Sequence, residues 1–193
     1  MKEIIKKLMT EINKEAKLIG DYITNKNLNY QSNVFETPKI ISTGISNDEI
    51  IKETKRLRGK KGVYVFITIH DFEFDKNRIH NWNQCSGARA NSQDPSGNMY
   101  PFSVKKGEIF YIGSCYSVSL LSRIREHCNQ KEDVQESSLK LSNQNRIWAK
   151  SYLQVYCFPI RPLFDKTELH LIIPEFEKQL HNRFSAIIGS NRT

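Results

Sequence analysis

Two short runs constrain this chain more than anything else in it. GVYVFITIH, from Gly62 to His70, and EIFYIGS, from Glu108 to Ser114, are dense in β-branched and aromatic residues. Such side chains suit a pleated, half-buried surface, so both runs read as strands. A third strand is expected in SYLQVYCFPI, from Ser151 to Ile160, halted by Pro159 and Pro162. Around these strands the apolar spacing changes to steps of three and four, the signature of helices. The fold class expected is therefore α+β.

Residues 1–27 carry Ile4, Leu8, Ile12, Ala16, Ile19 and Ile23 at helical steps with Lys and Glu between them. That face packs on its own domain or on a partner subunit. An Asn- and Ser-rich stretch follows, and Ser46 with Glu49 has the spacing of a capping box that opens a helix across Ile50 and Ile51. The helix runs out in a basic cluster of Lys55, Arg56, Arg58, Lys60 and Lys61. Between the first two strands, residues 71–107 are polar, with a turn signal at Asp94-Pro95-Ser96-Gly97-Asn98. A segment that long without a periodic pattern is usually functional or mobile. A helix is expected from Ser119 to Gln130, and Pro174 suits the first turn of another through EFEKQLHNRF.

With 193 residues the chain is long enough for a real core without disulfides. No apolar run approaches the roughly 18 residues of a membrane span, and MKEIIKKLMTEINKEAK lacks the apolar block of a signal peptide. Cys85, Cys115, Cys128 and Cys157 form no C-x-x-C pair. Reduced thiols in a cytoplasmic protein, with no membrane partner, are the expectation. A formal net charge of +8 favours polyanionic partners through counterion release.

On the helix after Tyr111-Ile112-Gly113, Leu121, Ile124 and Cys128 share a stripe. Arg123 and His127, about 40° apart, lie roughly opposite it and face solvent or a site. From the helix alone, solvent is the plainer reading. On the last helix, Phe176, Leu180 and Phe184 make the buried stripe, with Glu177 and His181 together at its edge.

Taken in order, Gly62-Val63-Tyr64, Tyr111-Ile112-Gly113, the G-S-x(8)-R-x-x-x-H run from Gly113 to His127, and P-E-F-E-K-Q-L around Glu177 resemble the GIY-YIG nuclease family. They are most similar to its small type II restriction endonucleases. The resemblance covers roughly residues 59–185. It implies a three-stranded, mainly antiparallel sheet flanked by helices, with residues 1–58 as an N-terminal helical extension. Residues 59–193 would form the catalytic domain, carrying 71–107 as an insertion longer than the family's usual hairpin. Loop closure costs little more as a loop grows, so such an insertion is tolerable. The family's asparagine after the glutamate helix has no good counterpart here.

The resemblance further implies that Tyr64, Tyr111, Arg123, His127 and Glu177 are catalytic and that Glu177 holds Mg²⁺ or Mn²⁺. Phosphodiester hydrolysis gathers negative charge on phosphate oxygens, which a guanidinium fork and a divalent cation stabilise. A tyrosine near its ordinary pKa of about 10 is a poor base at neutral pH. It needs nearby cations, or His127 to take its proton in a relay. The two tyrosines are interchangeable in role at this stage.

Lys60, Lys61, Lys105 and Lys106 bracket the motif strands and are candidates for backbone contacts with double-stranded DNA. Arg78, Trp82 and Arg89 of the insertion are candidates for reading or stacking on bases. The expected activity is metal-dependent endonucleolytic cleavage of double-stranded DNA by a sequence-specific restriction or defence enzyme. Two alternatives are a structure-specific repair or recombination nuclease and an inactive nucleic-acid-binding module of the same fold. A homodimer and a cognate methyltransferase are the protein partners that such an enzyme implies.

Overall fold

A computed structural model describes residues 3, 6–14, 18, 34–73, 103–128, 139, 141, 152–184, 186 and 187. The strands are β1 (Lys39–Ser42), β2 (Gly62–Thr68), β3 (Phe72–Glu73), β4 (Ser103–Val104), β5 (Ile109–Cys115) and β6 (Leu153–Pro159). The helices are α1 (Asn47–Thr54), α2 (Leu120–Cys128) and α3 (Lys166–Arg183), with a 3₁₀ turn at Lys55–Leu57 and a helical segment at 6–14. The class is α+β, as expected.

The main sheet is antiparallel in the order β1-β6-β2-β5, so it has four strands where three were expected. The extra one, β1, lies at the edge beside β6 and comes from the stretch 1–58 expected to be helical. Its four residues bury only Ile41 fully, too little pattern to announce a strand.

Helices cover both faces of the sheet. Every residue of β2 is buried, which is why its sequence is a nearly unbroken apolar run and not an alternating one. Tyr64 and Phe66 point into a core shared with Ile50, Leu57, Leu120, Ile124 and Cys128. Val63, Val65 and Ile67 point into a second core with Ile172, Ile173, Phe176 and Leu180 of α3. Leu8 and Ile12 of the N-terminal segment lie in that second core, and Arg183 pairs with Glu11 at 2.5 Å. The described part of this segment thus packs on its own sheet; the remainder of the helix expected over 1–27 falls outside the described residues.

α1 begins at Ser46, whose side chain and that of Glu49 cap each other's backbone as the spacing predicts. α3 corrects an expectation. It starts not at Pro174 but at Asp165, which forms a capping box with Glu168, and Pro174 lies inside the helix. An interior proline costs about 3 kcal/mol. Ile172, Ile173, Phe176 and Leu180, all buried, together offset it with roughly 6–12 kcal/mol, taking ~1.5–3 for each side chain.

Two features of the ladder shape the site. Between Phe66 and Ile67 the register with β5 slips by one, so Phe110 is a bulge residue and joins Tyr111 at the core on the α2 face. At Gly62 a Cβ would stand 2.1 Å from the Phe158 carbonyl oxygen, so only glycine lets β6 come this close.

Candidate active site

Tyr64, the third residue of β2, is fully buried and faces α2. Its Oη lies 2.8 Å from His127 Nε2, and Arg123 Nε–H donates to it at 3.3 Å. The ring of Tyr111 is 6.2 Å from that of Tyr64 and 5.4 Å from His127, centroid to centroid. Two strands and one helix therefore bring both tyrosines, the arginine and the histidine into one cluster. Gly113, opposite Tyr64 in the ladder, leaves the space for the phenol.

His127 is fully buried, which corrects the solvent-facing placement read from the helix alone. The buried face of α2 includes Leu120, one turn before Ile124, and this shifts the face toward His127. Arg123 sits at its edge with 18% of its side chain exposed and pairs with Glu126 at 3.0 Å. Burial disfavours its charge, but Tyr64, Glu126 and Tyr111 hold the proton more tightly than usual.

The proton inventory of His127 follows from its neighbours. The backbone N–H of Leu139 donates to Nδ1 at 2.9 Å, so Nδ1 is an acceptor. A neutral ring accepting at Nδ1 carries its proton on Nε2 and donates to Tyr64 Oη. This reverses the expected relay, in which His127 takes the phenolic proton. Burial, with the Arg123 charge adding to it, pushes His127 well below its ordinary pKa and keeps it neutral. Burial pushes Tyr64 well above its own; Tyr111 adds to the rise, Arg123 opposes it, and the Glu177 charge raises it further.

Glu177 approaches from the other face of the sheet, on α3, and is 6% exposed. Ser114 of β5 donates to its Oε2 at 2.5 Å, and His181 Nε2 lies 3.9 Å from its Oε1. Its charge acts on Tyr64 across the edge strand. Among the described residues, no three His, Cys, Asp or Glu side chains gather as a metal nest. A carboxylate oriented by a hydrogen bond, as Glu177 is by Ser114, fits Mg²⁺, which keeps several of its waters.

The candidate nucleic-acid contacts divide differently. Lys60 pairs with Glu36, and Lys61 Nζ donates to the carbonyls of Ser117 and Val118 at 2.5 and 2.8 Å, anchoring the turn before α2. Lys105 Nζ lies 3.4 Å from Asp71, whose other oxygen accepts from the Lys106 N–H. Arg78, Trp82 and Arg89 fall outside the described residues. Cys115, Cys128 and Cys157 are buried, and burial pushes the Cys115 thiol up to about 12 and the Cys157 thiol well above its ordinary value, so neither of these two is a ready thiolate. No described helix is long and apolar enough to cross a membrane.

Sequence reasoning missed three participants. Ser114 lay within the motif but carried no distinguishing pattern, and Glu126 read as one more surface charge. Leu139 acts through its backbone, which no side-chain motif reports. No family model, no curated protein and no solved structure matches the chain.

Proposed function

We propose that the protein is a metal-dependent endonuclease hydrolysing phosphodiester bonds of double-stranded DNA, as a sequence-specific restriction or defence enzyme. The observation that carries this reading is the buried contact of Tyr64 Oη with both His127 Nε2 and Arg123 Nε. A phenol oxygen receiving two N–H donors, one of them cationic, is prepared to carry negative charge. In this reading Tyr64 is the base that accepts the proton of the attacking water. Tyr111, beside it, orients that water or a phosphate oxygen. Arg123 balances charge at the phosphate, where a fixed guanidinium stabilises the transition state more than the ground state.

Glu177, oriented by Ser114, is the residue to hold Mg²⁺ or Mn²⁺, and a cation there supplies charge neutralisation at the phosphate and leaving oxygen. Burial favours the neutral phenol, so the working phenolate is scarce at neutral pH and increases with alkalinity. Cutting both strands with one such cluster per chain calls for two copies of the protein or two successive nicks.

Plasmid digestion tests the proposal. Wild type with Mg²⁺ is expected to give discrete linear bands, while Arg123→Ala and Glu177→Ala are expected to be slower by roughly 10²–10³-fold. Full activity in both variants, or no cleavage by folded wild type with Mg²⁺ or Mn²⁺, overturns it. Cleavage confined to flaps or junctions would favour the structure-specific alternative.

A further inference from the structure

The geometry points to the backbone N–H of Leu139 as a positioning group that sets the direction of the Tyr64–His127 hydrogen bond. Leu139 and Leu141 are buried in the same core as Tyr64, Ile124 and Cys128. Together they attach to His127 at two places. The Leu139 N–H donates to Nδ1 of the ring, and the Leu141 N–H donates to the His127 carbonyl, each at 2.9 Å. The second bond satisfies one of the last carbonyls of α2, so Leu141 caps the helix while Leu139 engages its final imidazole.

The ring has three states, and only one suits this arrangement. With the proton on Nδ1, two N–H donors would face each other in a fully buried site. An imidazolium meets the same clash and adds a cation beside Arg123. The Nε2–H tautomer alone satisfies both ring nitrogens, one toward Leu139 and one toward Tyr64. Packing holds the ring for this role: its centroid lies 5.2 Å from Tyr64, 5.5 Å from Phe66 and 5.4 Å from Tyr111. Among the described residues, the charged or titratable groups around it include Tyr64, Tyr111 and Arg123, with Glu126 paired to Arg123 behind them and Glu177 acting on Tyr64 from α3.

The consequence concerns Tyr64. With Nε2–H donating, Oη accepts from His127 and Arg123 together, and the phenol's own proton points at neither. In the opposite tautomer Tyr64 would donate to Nε2 and its proton would be held in place, the wrong polarity for a base. The backbone of Leu139 thus decides whether the phenol oxygen accepts from His127 or gives its own proton to the ring. The catalytic part of this inference rests on the nuclease reading; the tautomer part does not.

The test uses full-length protein and the ¹⁵N resonances of the His127 ring in wild type, Leu139→Ala and Leu139→Pro. Alanine keeps the N–H and loses the bulk; proline removes the N–H and keeps an apolar side chain. Wild type and Leu139→Ala are expected to show an unprotonated Nδ1 and a protonated Nε2, and Leu139→Pro a mixed or reversed pattern. Wild type is also expected to show a hydrogen-bond coupling between the Leu139 amide nitrogen and Nδ1. That measurement decides the matter even if the proline variant fails to fold. A protonated Nδ1 in wild type, or an unchanged tautomer in folded Leu139→Pro, overturns the inference. In the cleavage assay Leu139→Pro is expected to lose rate at least tenfold with DNA affinity retained, within the ~10⁴-fold that a wrong histidine tautomer costs a serine protease. Unchanged cleavage by a tautomer-shifted variant removes the positioning role, whereas absent cleavage by wild type counts only against the nuclease reading.

Discussion

Gly113 stands directly across the β2–β5 ladder from Tyr64, and a Cβ there would lie 2.5 Å from the Tyr64 Oη and 2.8 Å from Cε1 of Tyr111. The glycine is the hollow into which the phenol fits. Gly113→Ala therefore forces both rings to shift within a filled core, at a cost of about 1–3 kcal/mol. Urea denaturation is expected to show that loss. The variant is also expected to lose cleavage beyond what its reduced stability explains, because Tyr64 leaves the reach of Arg123.

Arg123→Lys separates charge from shape. Lysine keeps a cation but lacks the fork that reaches Tyr64 Oη and Glu126 together. Its cleavage rate is expected to fall roughly 10²-fold, close to that of Arg123→Ala. Near-normal turnover by the lysine variant would mean that charge alone suffices. Glu126→Gln, which removes a partly exposed partner, is expected to cost stability only ~0–1 kcal/mol.

Ser114 should control the metal requirement. Its hydroxyl orients Glu177 at 2.5 Å, so Ser114→Ala leaves the carboxylate in place but less well aimed. The Mg²⁺ concentration for half-maximal cleavage is expected to rise about 10–100-fold while the rate at saturating Mg²⁺ is largely restored. Removing the metal with EDTA is expected to abolish cleavage in wild type and variant alike.

His127 makes stability depend on acid. Its folded pKa lies well below 6.5 because the ring is buried beside Arg123, whereas the unfolded chain titrates near 6.5. Above that pH neither state binds the extra proton, and the full stability is present. As pH falls below about 6.5 the unfolded state takes up a proton that the folded state refuses, so stability is lost at up to ~1.4 kcal/mol per pH unit. The loss continues until the folded pKa is reached. Urea midpoints between pH 7 and pH 5 measure it, and the slope is expected to be shallower in His127→Gln.

Much of this was legible in the sequence wherever one segment carried its own signal. The three long strands, the Ser46 capping box and the α2 helix each announce themselves by local composition. Failures came where tertiary packing outweighed local preference. Pro174 looks like a helix start, yet a capping box nine residues earlier and the apolar residues around it carry the helix through. β1 is too short and too exposed to show its period. His127 was misplaced because the choice of stripe depended on whether Leu120 or Leu121 set its centre, and only the sheet decides that. The polarity of the Tyr64–His127 bond was beyond reach, since it depends on a main-chain N–H from a distant segment.

The paired strands β3 and β4 tie the chain together where it leaves β2 and where it returns toward β5. Phe72 faces Val104 and Glu73 faces Ser103, with Asp71 gripping the Lys106 amide just beneath them. This clasp fastens the departure and return of the chain before anything beyond it matters to β2 and β5. The outgoing end of β2 and the incoming end of β5 are thereby held side by side by two ladder pairs and one side-chain to main-chain bond.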